Sequence, residues 1–556
     1  MPSRGLKQAP SPMAHAMGLR SFGPPGLHWN QASVAAGVPP AVEGGVSPPG
    51  IPDSASPVSR TFSLHQVLRF VVIAFTTLAV SSFAAEIPER PEKLKFPALT
   101  YEPPDPAAYR VELKAGPVAY VIEDRELPLV TISVLVRTGQ YVEPADKAGL
   151  AALTGSVLAS GGAGSRTAEE LDERVDFLAA MLTTSIGEAQ GQVRLNLLSK
   201  DLEDGMQLLR DVLVTPRFQE NRVALAKEQT LQGLKQRNDD SEDIEDRERD
   251  WLAYGTNTWL NRLPTAASIQ GIGRADLETF HRRWFHPRNM VIAVSGDFAR
   301  ADMVARLEKL LADWPFPGEQ APPIPAETEF AKPGFYLVNK DVNQGRVSLL
   351  LPGLRREHPD FLPVTVMNDI LGGGGFTSRI MNRVRSEEGL AYSAGSMFPE
   401  GMTVARAFQA SFQTKSRTVA YATQLVLSEL KKIATEPVTE DELTTAKASF
   451  IDTFPRRFAN KAQVAGQFAS DEFSGRYERD PGFWRDYRRR IGSVTREDVQ
   501  RMAAKWLQTE RLVVLAVGQK EEILKGHPDH PVKLEELTRG PLVELPLRDP
   551  LTLEPK

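Results

Sequence analysis

Between Leu371 and Ser393 the chain reads LGGGGFTSRIMNRVRSEEGLAYS. Four successive glycines, Gly372, Gly373, Gly374 and Gly375, make a turn whose backbone can approach a ligand closely. The turn runs into a short helix carrying Arg379, Arg383 and Arg385, and a second turn at Gly389 presents Tyr392 and Ser393. An arginine and a tyrosine seven residues apart can enter one cleft if the chain between them bends. Arg385 and Tyr392 therefore read as a grip on a group bearing carbonyls or carboxylates. The same letters also describe a glycine-rich helix entry with solvated arginines, so the motif alone decides nothing.

The elements that would position this motif occur twice. Ile272–Gly296 aligns without a gap with Val494–Gly518, pairing Arg274 with Arg496, Asp276 with Asp498, Trp284 with Trp506 and Gly296 with Gly518. Each segment is an amphipathic helix, a loop and an apolar strand. Phe218–Lys227 matches Val438–Lys447, and Leu158–Arg166 (LASGGAGSR) matches Leu371–Arg379 (LGGGGFTSR). Three matches in one order imply two tandem copies of one domain, of roughly 200 residues each, rather than a solenoid. In the first copy, strands are expected over 119–123, 129–137, 190–197 and 290–295. Helices are expected over 148–160, 168–181, 202–214, 220–236 and 274–285. In the second copy, strands fall at 346–351 and 404–412, and helices at 361–371, 416–434, 439–453 and 495–508. The expected class is α+β: two homologous domains, each a mainly antiparallel sheet with helices packed on one face. The domains run over 98–314 and 335–525, joined by a proline-rich linker over 315–334 and followed by a tail over 526–556.

The 556 residues are 25% charged and 41% hydrophobic with a net charge of −5, which gives no reason to expect a nucleic-acid partner. The chain has no cysteine, so disulfides, thiolate metal sites and cysteine nucleophiles are excluded. Residues 1–60 are rich in Pro, Gly and Ser without periodicity and read as a disordered tail. Residues 61–86 hold the uncharged run FVVIAFTTLAVSSFAA, Phe70 to Ala85, behind Arg60 and Arg69. The basic flank and small-residue end have the form of a secretory signal. Its depth in the chain leaves the alternative of an uncleaved anchor, with membrane attachment through 67–85. Either way the chain is expected to be exported, as a periplasmic protein or one anchored facing the periplasm.

Together, Ala148–Gly162, Pro216–Lys227, Asp276–Phe298, Leu371–Ser393 and Thr495–Gly518 resemble the repeated domain of the insulinase-like (pitrilysin) zinc metallopeptidases, over about residues 98–520. The likeness is to the two-subunit branch that includes the mitochondrial processing peptidase. Active members carry HxxEH on the first helix of the first domain: histidines four apart share a zinc ion, and the glutamate acts as general base. The resemblance places Ala152 and Ser156 at the histidine positions, Gly155 at the glutamate, and Gln232, within a residue or so, at the third ligand. No catalytic group for zinc chemistry and no metal is therefore expected on this chain. The resemblance assigns substrate binding to Arg385 and Tyr392, the arginine on a substrate carbonyl and the tyrosine on the carbonyl whose oxygen gains charge. It implies a non-zinc subunit contributing to peptide binding in a heterodimer with an HxxEH-bearing chain that holds the zinc, acting on unstructured peptides. The alternative is a catalytically dead structural or assembly protein of the same fold. The histidines offer no substitute site: His281 and His286 are five apart near a helix end, where capping or surface contact is the expected role, and His527 and His530 lie in a polar tail. No GxSxG elbow and no phosphate-binding loop is present.

Overall fold

The computed structural model describes residues 100–556; the tail over 1–60 and the signal or anchor over 61–86 lie outside the described residues. In the first half the strands are β1 (Arg110–Glu112), β2 (Val118–Glu123), β3 (Leu129–Val136), β4 (Met181–Ile186), β5 (Gly191–Leu198) and β6 (Met290–Gly296). They form one sheet in the order β1-β2-β6-β3-β5-β4. Its helices are α1 (Leu150–Val157), α2 (Ala168–Phe177), α3 (Leu202–Val214), α4 (Glu220–Lys235), α5 (Ser241–Tyr254), α6 (Ala266–Gly271), α7 (Arg274–Trp284) and α8 (Arg300–Leu311). The second half has β7 (Gly334–Asn339), β8 (Gln344–Leu354), β9 (Ala391–Met397), β10 (Arg406–Lys415), β11 (Val513–Gly518) and β12 (Leu542–Leu545), in the order β12-β7-β11-β8-β10-β9. Its longer helices are α9 (Phe361–Asn368), α10 (Val419–Thr435), α11 (Glu440–Ile451), α12 (Lys461–Phe473), α13 (Phe483–Gly492), α14 (Arg496–Trp506) and α15 (Lys520–Lys525).

The duplication is visible in the topology. Strands β2-β6-β3-β5-β4 and β7-β11-β8-β10-β9 have the same order and the same senses, one parallel pair followed by three antiparallel pairs. The class is α+β, as mainly antiparallel strands mixed with helices without strict βαβ alternation imply. The central strands are wholly buried, β6 and β11 along their full lengths, and read as continuous apolar runs. The edge strands β4 (MLTTSI) and β9 (AYSAGSM) do not, and sequence patterning missed both. The helix expected over 168–181 stops at Phe177; Ala179 takes a positive φ of 46°, and the chain turns into β4.

Each sheet also receives a helix from the other half, in addition to its own helices. Helix α12 lies across β2 and β6, where Phe468 is 1% exposed and joins Tyr120, Ile122, Val291 and Ala293 in one core. Helix α5 lies across β8 and β11, where Ile244 joins Leu350, Val513 and Leu515. Polar bonds lock the first contact. Glu472, at the end of α12, accepts from Arg110 Nε (3.1 Å) and Nη2 (3.0 Å) and from the Tyr120 hydroxyl (2.9 Å). Residues 526–556 bridge the halves: β12 pairs parallel with β7 of the second, while Arg548 meets Glu248 at 3.3 Å and Ala266 N donates to the Leu551 carbonyl at 2.8 Å in the first.

This exchange predicts a single cooperative unfolding transition for the described region. Phe468→Ala removes a ring buried between halves and should cost about 3–5 kcal/mol. Urea denaturation followed by tryptophan fluorescence would show it; two separate transitions in the native protein would contradict the interlock.

Candidate functional site

Helix α1 is the element on which a zinc motif would sit. It starts at Gly149, whose φ of 97° suits glycine, and its first amides are held by a side chain rather than water. Glu143 accepts from Ala151 N at 2.6 Å and Gly149 N at 3.2 Å. Burial pushes its carboxyl up to about 7, against the pull of those two amides. Ala152 and Ser156, four apart, share the exposed face of the helix. Gly155 faces the other way, onto the edge strand. A Cβ there would lie 2.8 Å from the Ser185 carbonyl carbon and nearer still to Ile186 N. The Gly155 carbonyl in turn accepts from Thr184 Oγ1 at 2.7 Å. A methyl side chain, a glycine packed on backbone and a hydroxyl give no zinc ligand and no base; zinc does not fit this helix.

Gln232 sits on α4, which packs against α1. It lies on the exposed side of α4 and lines an open cleft of about 560 Å³ with Lys227, Leu231 and Leu551, to which Ala152, Gly155 and Ser156 contribute nothing. The next residue, Gly233, has no side chain, so shifting the alignment by one restores no ligand. Among the described residues, no group of three or more His, Asp or Glu could hold a metal ion. The four histidines with notable spacing are accounted for by packing. His281 is buried, not at the surface: its Nε2 meets the Leu213 carbonyl at 3.0 Å, and burial pulls it down to about 4. The ring of His286 meets the Glu319 carbonyl at 2.5 Å, and His530 stacks on Tyr421 with centroids 4.2 Å apart.

The glycine turn and its helix are built around the second edge strand. The chain leaves α9 through a wide turn over 369–373, and Gly372 packs against β9, where a Cβ would fall 2.9 Å from the Gly395 carbonyl carbon. Gly373 lies against Asn368 and Gly374 against the Asp369 carbonyl, while Gly375, with φ of 59°, has open space around it. Two of the three arginines that follow are engaged. Arg379 holds Glu442 through Nε (2.6 Å) and Nη2 (2.9 Å), which keeps that carboxyl low, at about 2. Arg383 meets Glu387 at 2.5 Å and Glu388 at 3.4 Å.

Arg385 is different. It has no carboxylate and no hydrogen-bond partner among the described residues. Its guanidinium is held instead between two rings, with Cζ 4.6 Å from the centroid of Phe376 and 4.9 Å from that of Tyr392. Both rings are outward, Phe376 66% and Tyr392 74% exposed. The placement of Tyr392 comes from a β-bulge: Phe412 pairs with Ala394 and Thr414 with Ala391, so Tyr392 and Ser393 together oppose Gln413 alone. The extra residue turns both side chains outward. The structure thus brings Arg385 and Tyr392 into contact and adds Phe376, which sequence reasoning passed over; an aromatic directly behind four glycines was the signal. Asp369 lies close beneath the turn, near Gly374; burial lifts its carboxyl to about 6, with Ser449 Oγ at 3.3 Å as a side-chain partner.

The family description "Insulinase (Peptidase family M16)" matches residues 119–261, and "Peptidase M16 inactive domain" matches residues 271–450. Together they span more than half of the chain, which belongs to the insulinase-like M16 family; in it, this chain is a homologue without the zinc-binding residues. An uncharacterized zinc protease of Mycobacterium leprae is 27% identical over 325 residues, 57% of this chain and 72% of its own. The non-peptidase homolog YmxG of Helicobacter pylori is 27% identical over 345 residues, 61% and 78% of the two chains. Among solved structures, a peptidase M16 inactive domain from Pseudomonas fluorescens superposes with a TM-score of 0.67 at 24% identity, covering 74% of this chain and 97% of that one. A protease from Helicobacter pylori gives 0.65 at 18% identity, covering 75% and 100%. At these identities the structural matches establish the fold.

Two outcomes follow. Ala152→His with Ser156→His is tolerated on the exposed face. Adding Gly155→Glu drives a side chain into the backbone of β4, which costs about 1–3 kcal/mol and leaves zinc loosely held at best; thermal melts and zinc titration calorimetry measure both. Separately, the raised Glu143 carboxyl makes the folded state bind a proton the unfolded chain has released. Its favourable contribution is full below about pH 4.5 and is lost as pH rises through about 7. Glu143→Gln should therefore gain stability relative to the native protein between pH 5 and 8, read as a growing difference in Tm.

Proposed function

We propose that this chain is the substrate-holding, non-zinc subunit of an insulinase-like metallopeptidase. Arg385 and Tyr392 bind an unstructured peptide, and an HxxEH-bearing homologous chain holds the zinc and carries out hydrolysis. The observation that carries the reading is the unpaired guanidinium of Arg385, clamped between Phe376 and Tyr392 at an exposed edge strand. A charged donor left without a carboxylate while Arg379 and Arg383 beside it are bonded is free to take a peptide carbonyl. The Tyr392 hydroxyl, also without a hydrogen bond among the described residues, supplies a second donor to the same stretch of backbone. The complex would work outside the cytoplasm, in the periplasm or tethered facing it.

A second reading, a structural or assembly protein with the same fold, draws on the α1–β4 contact, where a catalytic position has become a backbone-to-backbone packing point. Co-expression with an HxxEH-bearing homologue from the same organism, followed by assays on unstructured peptides, separates the two. Arg385→Ala should lower kcat/KM of the complex by about a hundredfold and Tyr392→Phe by about tenfold, with the assembled complex intact. Unchanged rates and unchanged peptide binding in both variants would favour the structural reading.

A further inference from the structure

The helix α13 and the turn before α12 form a cationic surface on a chain whose net charge is −5. Residues Phe454–Phe458 make a short 3₁₀ turn that presents Arg456 and Arg457 to solvent. It packs against α13 through Phe454 and Tyr487, stacked with centroids 5.2 Å apart, and through Phe458 and Trp484. Helix α13 buries Trp484, Tyr487 and Ile491, at helical spacing, turns Arg485 and Arg489 outward, and leaves Arg488 half-buried. Arg457 lies over Trp484 at 4.9 Å and Arg488 near Phe454 at 5.7 Å, which draws the two groups of arginines onto one face. Arg488 is paired with Glu102, Arg489 with Asp486 and Arg490 with Asp480. Arg456, Arg457 and Arg485 take part in no ion pair among the described residues.

The second observation is where the polypeptide enters. Tyr101 packs its ring on Phe454 at 6.1 Å, and its carbonyl accepts from Arg488 Nη2. The chain therefore reaches the folded region at the centre of the arginine surface. The uncharged run Phe70–Ala85 ends sixteen residues before Tyr101. Sixteen residues span at most about 55 Å when fully extended and roughly 20–25 Å as a flexible linker. A bilayer that holds that run lies within this chain length of Tyr101.

We propose that the surface of Arg456, Arg457, Arg485 and the neighbouring arginines of α13 docks on an anionic phospholipid surface, with the Phe70–Ala85 run as its tether. Each arginine at such a surface contributes roughly fivefold in binding, and tethering raises the effective lipid concentration it meets. The proposal concerns other residues than the Arg385–Tyr392 pair and stands or falls apart from the peptide-binding reading. It is tested on the full chain with vesicles of phosphatidylcholine alone or with about a third phosphatidylglycerol. Hydrogen exchange over 454–458 and 483–492 should slow on the anionic vesicles only, and the effect should fade with salt. The variant Arg456→Glu, Arg457→Glu, Arg485→Glu should lose at least about tenfold of the preference for anionic over neutral vesicles and keep its melting temperature. A glutamine version of the three serves if the reversal variant does not fold. Equal protection on both vesicles, an undiminished preference in both variants, or protection by RNA but not by anionic vesicles would overturn the assignment.

Discussion

A half-buried sheet has two faces, and in this protein neither half can cover both of its own. The helices that precede and follow the strands in sequence cover one face of each sheet. The other face is closed by a helix on loan: α12 over β2 and β6, α5 over β8 and β11. The exchange is reciprocal, so each half is incomplete without the other, and the apolar faces involved would be aggregation-prone if exposed. The polar bonds around Glu472 fix the register of the α12 contact but are secondary to the burial of Phe468, Tyr120 and Val291. The proline-rich segment between the halves, free of helix and strand over 315–333, has little to hold rigid, because the exchanged helices already do so.

The loaned helices do not extend over the outermost strands, and that leaves β4 and β9 as free edges. Unpaired edges are a hazard that proteins manage by bulges, polarity or a covering element. Both edges here are approached from the side by a glycine: Gly155 of α1 against β4, Gly372 of the glycine turn against β9. The duplication aligns this glycine turn with Leu158–Arg166, just beyond α1, so the metal helix and the glycine turn occupy neighbouring stretches of the repeat, each pressed to an edge strand. The two copies then diverge. In the first, the exposed positions of the helix carry Ala152 and Ser156, with no capacity for metal chemistry. In the second, a bulge in β9 and a turn bearing Phe376 hold one uncommitted guanidinium in the open.

The class and the duplication were legible because they rest on long amphipathic helices and buried strands, where periodicity is strongest. The repeat of Ile272–Gly296 in Val494–Gly518 appears as α7–β6 and α14–β11 within a few residues of the expected bounds. Two of the elements that escaped have their character set by the other half. Helix α12 (KAQVAGQFASDEF) and helix α5 (SEDIEDRERDWLAY) are too weakly apolar to announce what they bury, since each contributes only a stripe to a distant sheet. Edge strands β4 and β9 look like loops for the same reason: half their residues face water. At the site, residue types pointed to Arg385 and Tyr392 but could not show that Arg379 is spent on Glu442, a partner 63 positions away with no local signature; only the pairing of Arg383 with Glu387, four residues on, was open to reading from spacing.

The position of Gly155 bears on how such a chain is related to active peptidases. A general base at that place needs a side chain reaching toward a metal, and that requires room between the helix and the edge strand. Here the room has been closed: the Gly155 carbonyl accepts from Thr184, and the helix backbone lies directly on Ser185 and Ile186. Burying a helix against a strand at that distance gains packing which a larger residue would forfeit. The lack of a zinc motif on α1 is therefore matched by the backbone spacing as well as by three substituted side chains. Recovering it would require moving α1 away from β4, against the amide bonds from Ala151 and Gly149 to Glu143 that hold its N-terminus in place. A chain committed to that spacing keeps the fold and its edge-strand face without the zinc ligands and base that the helix carries in active members.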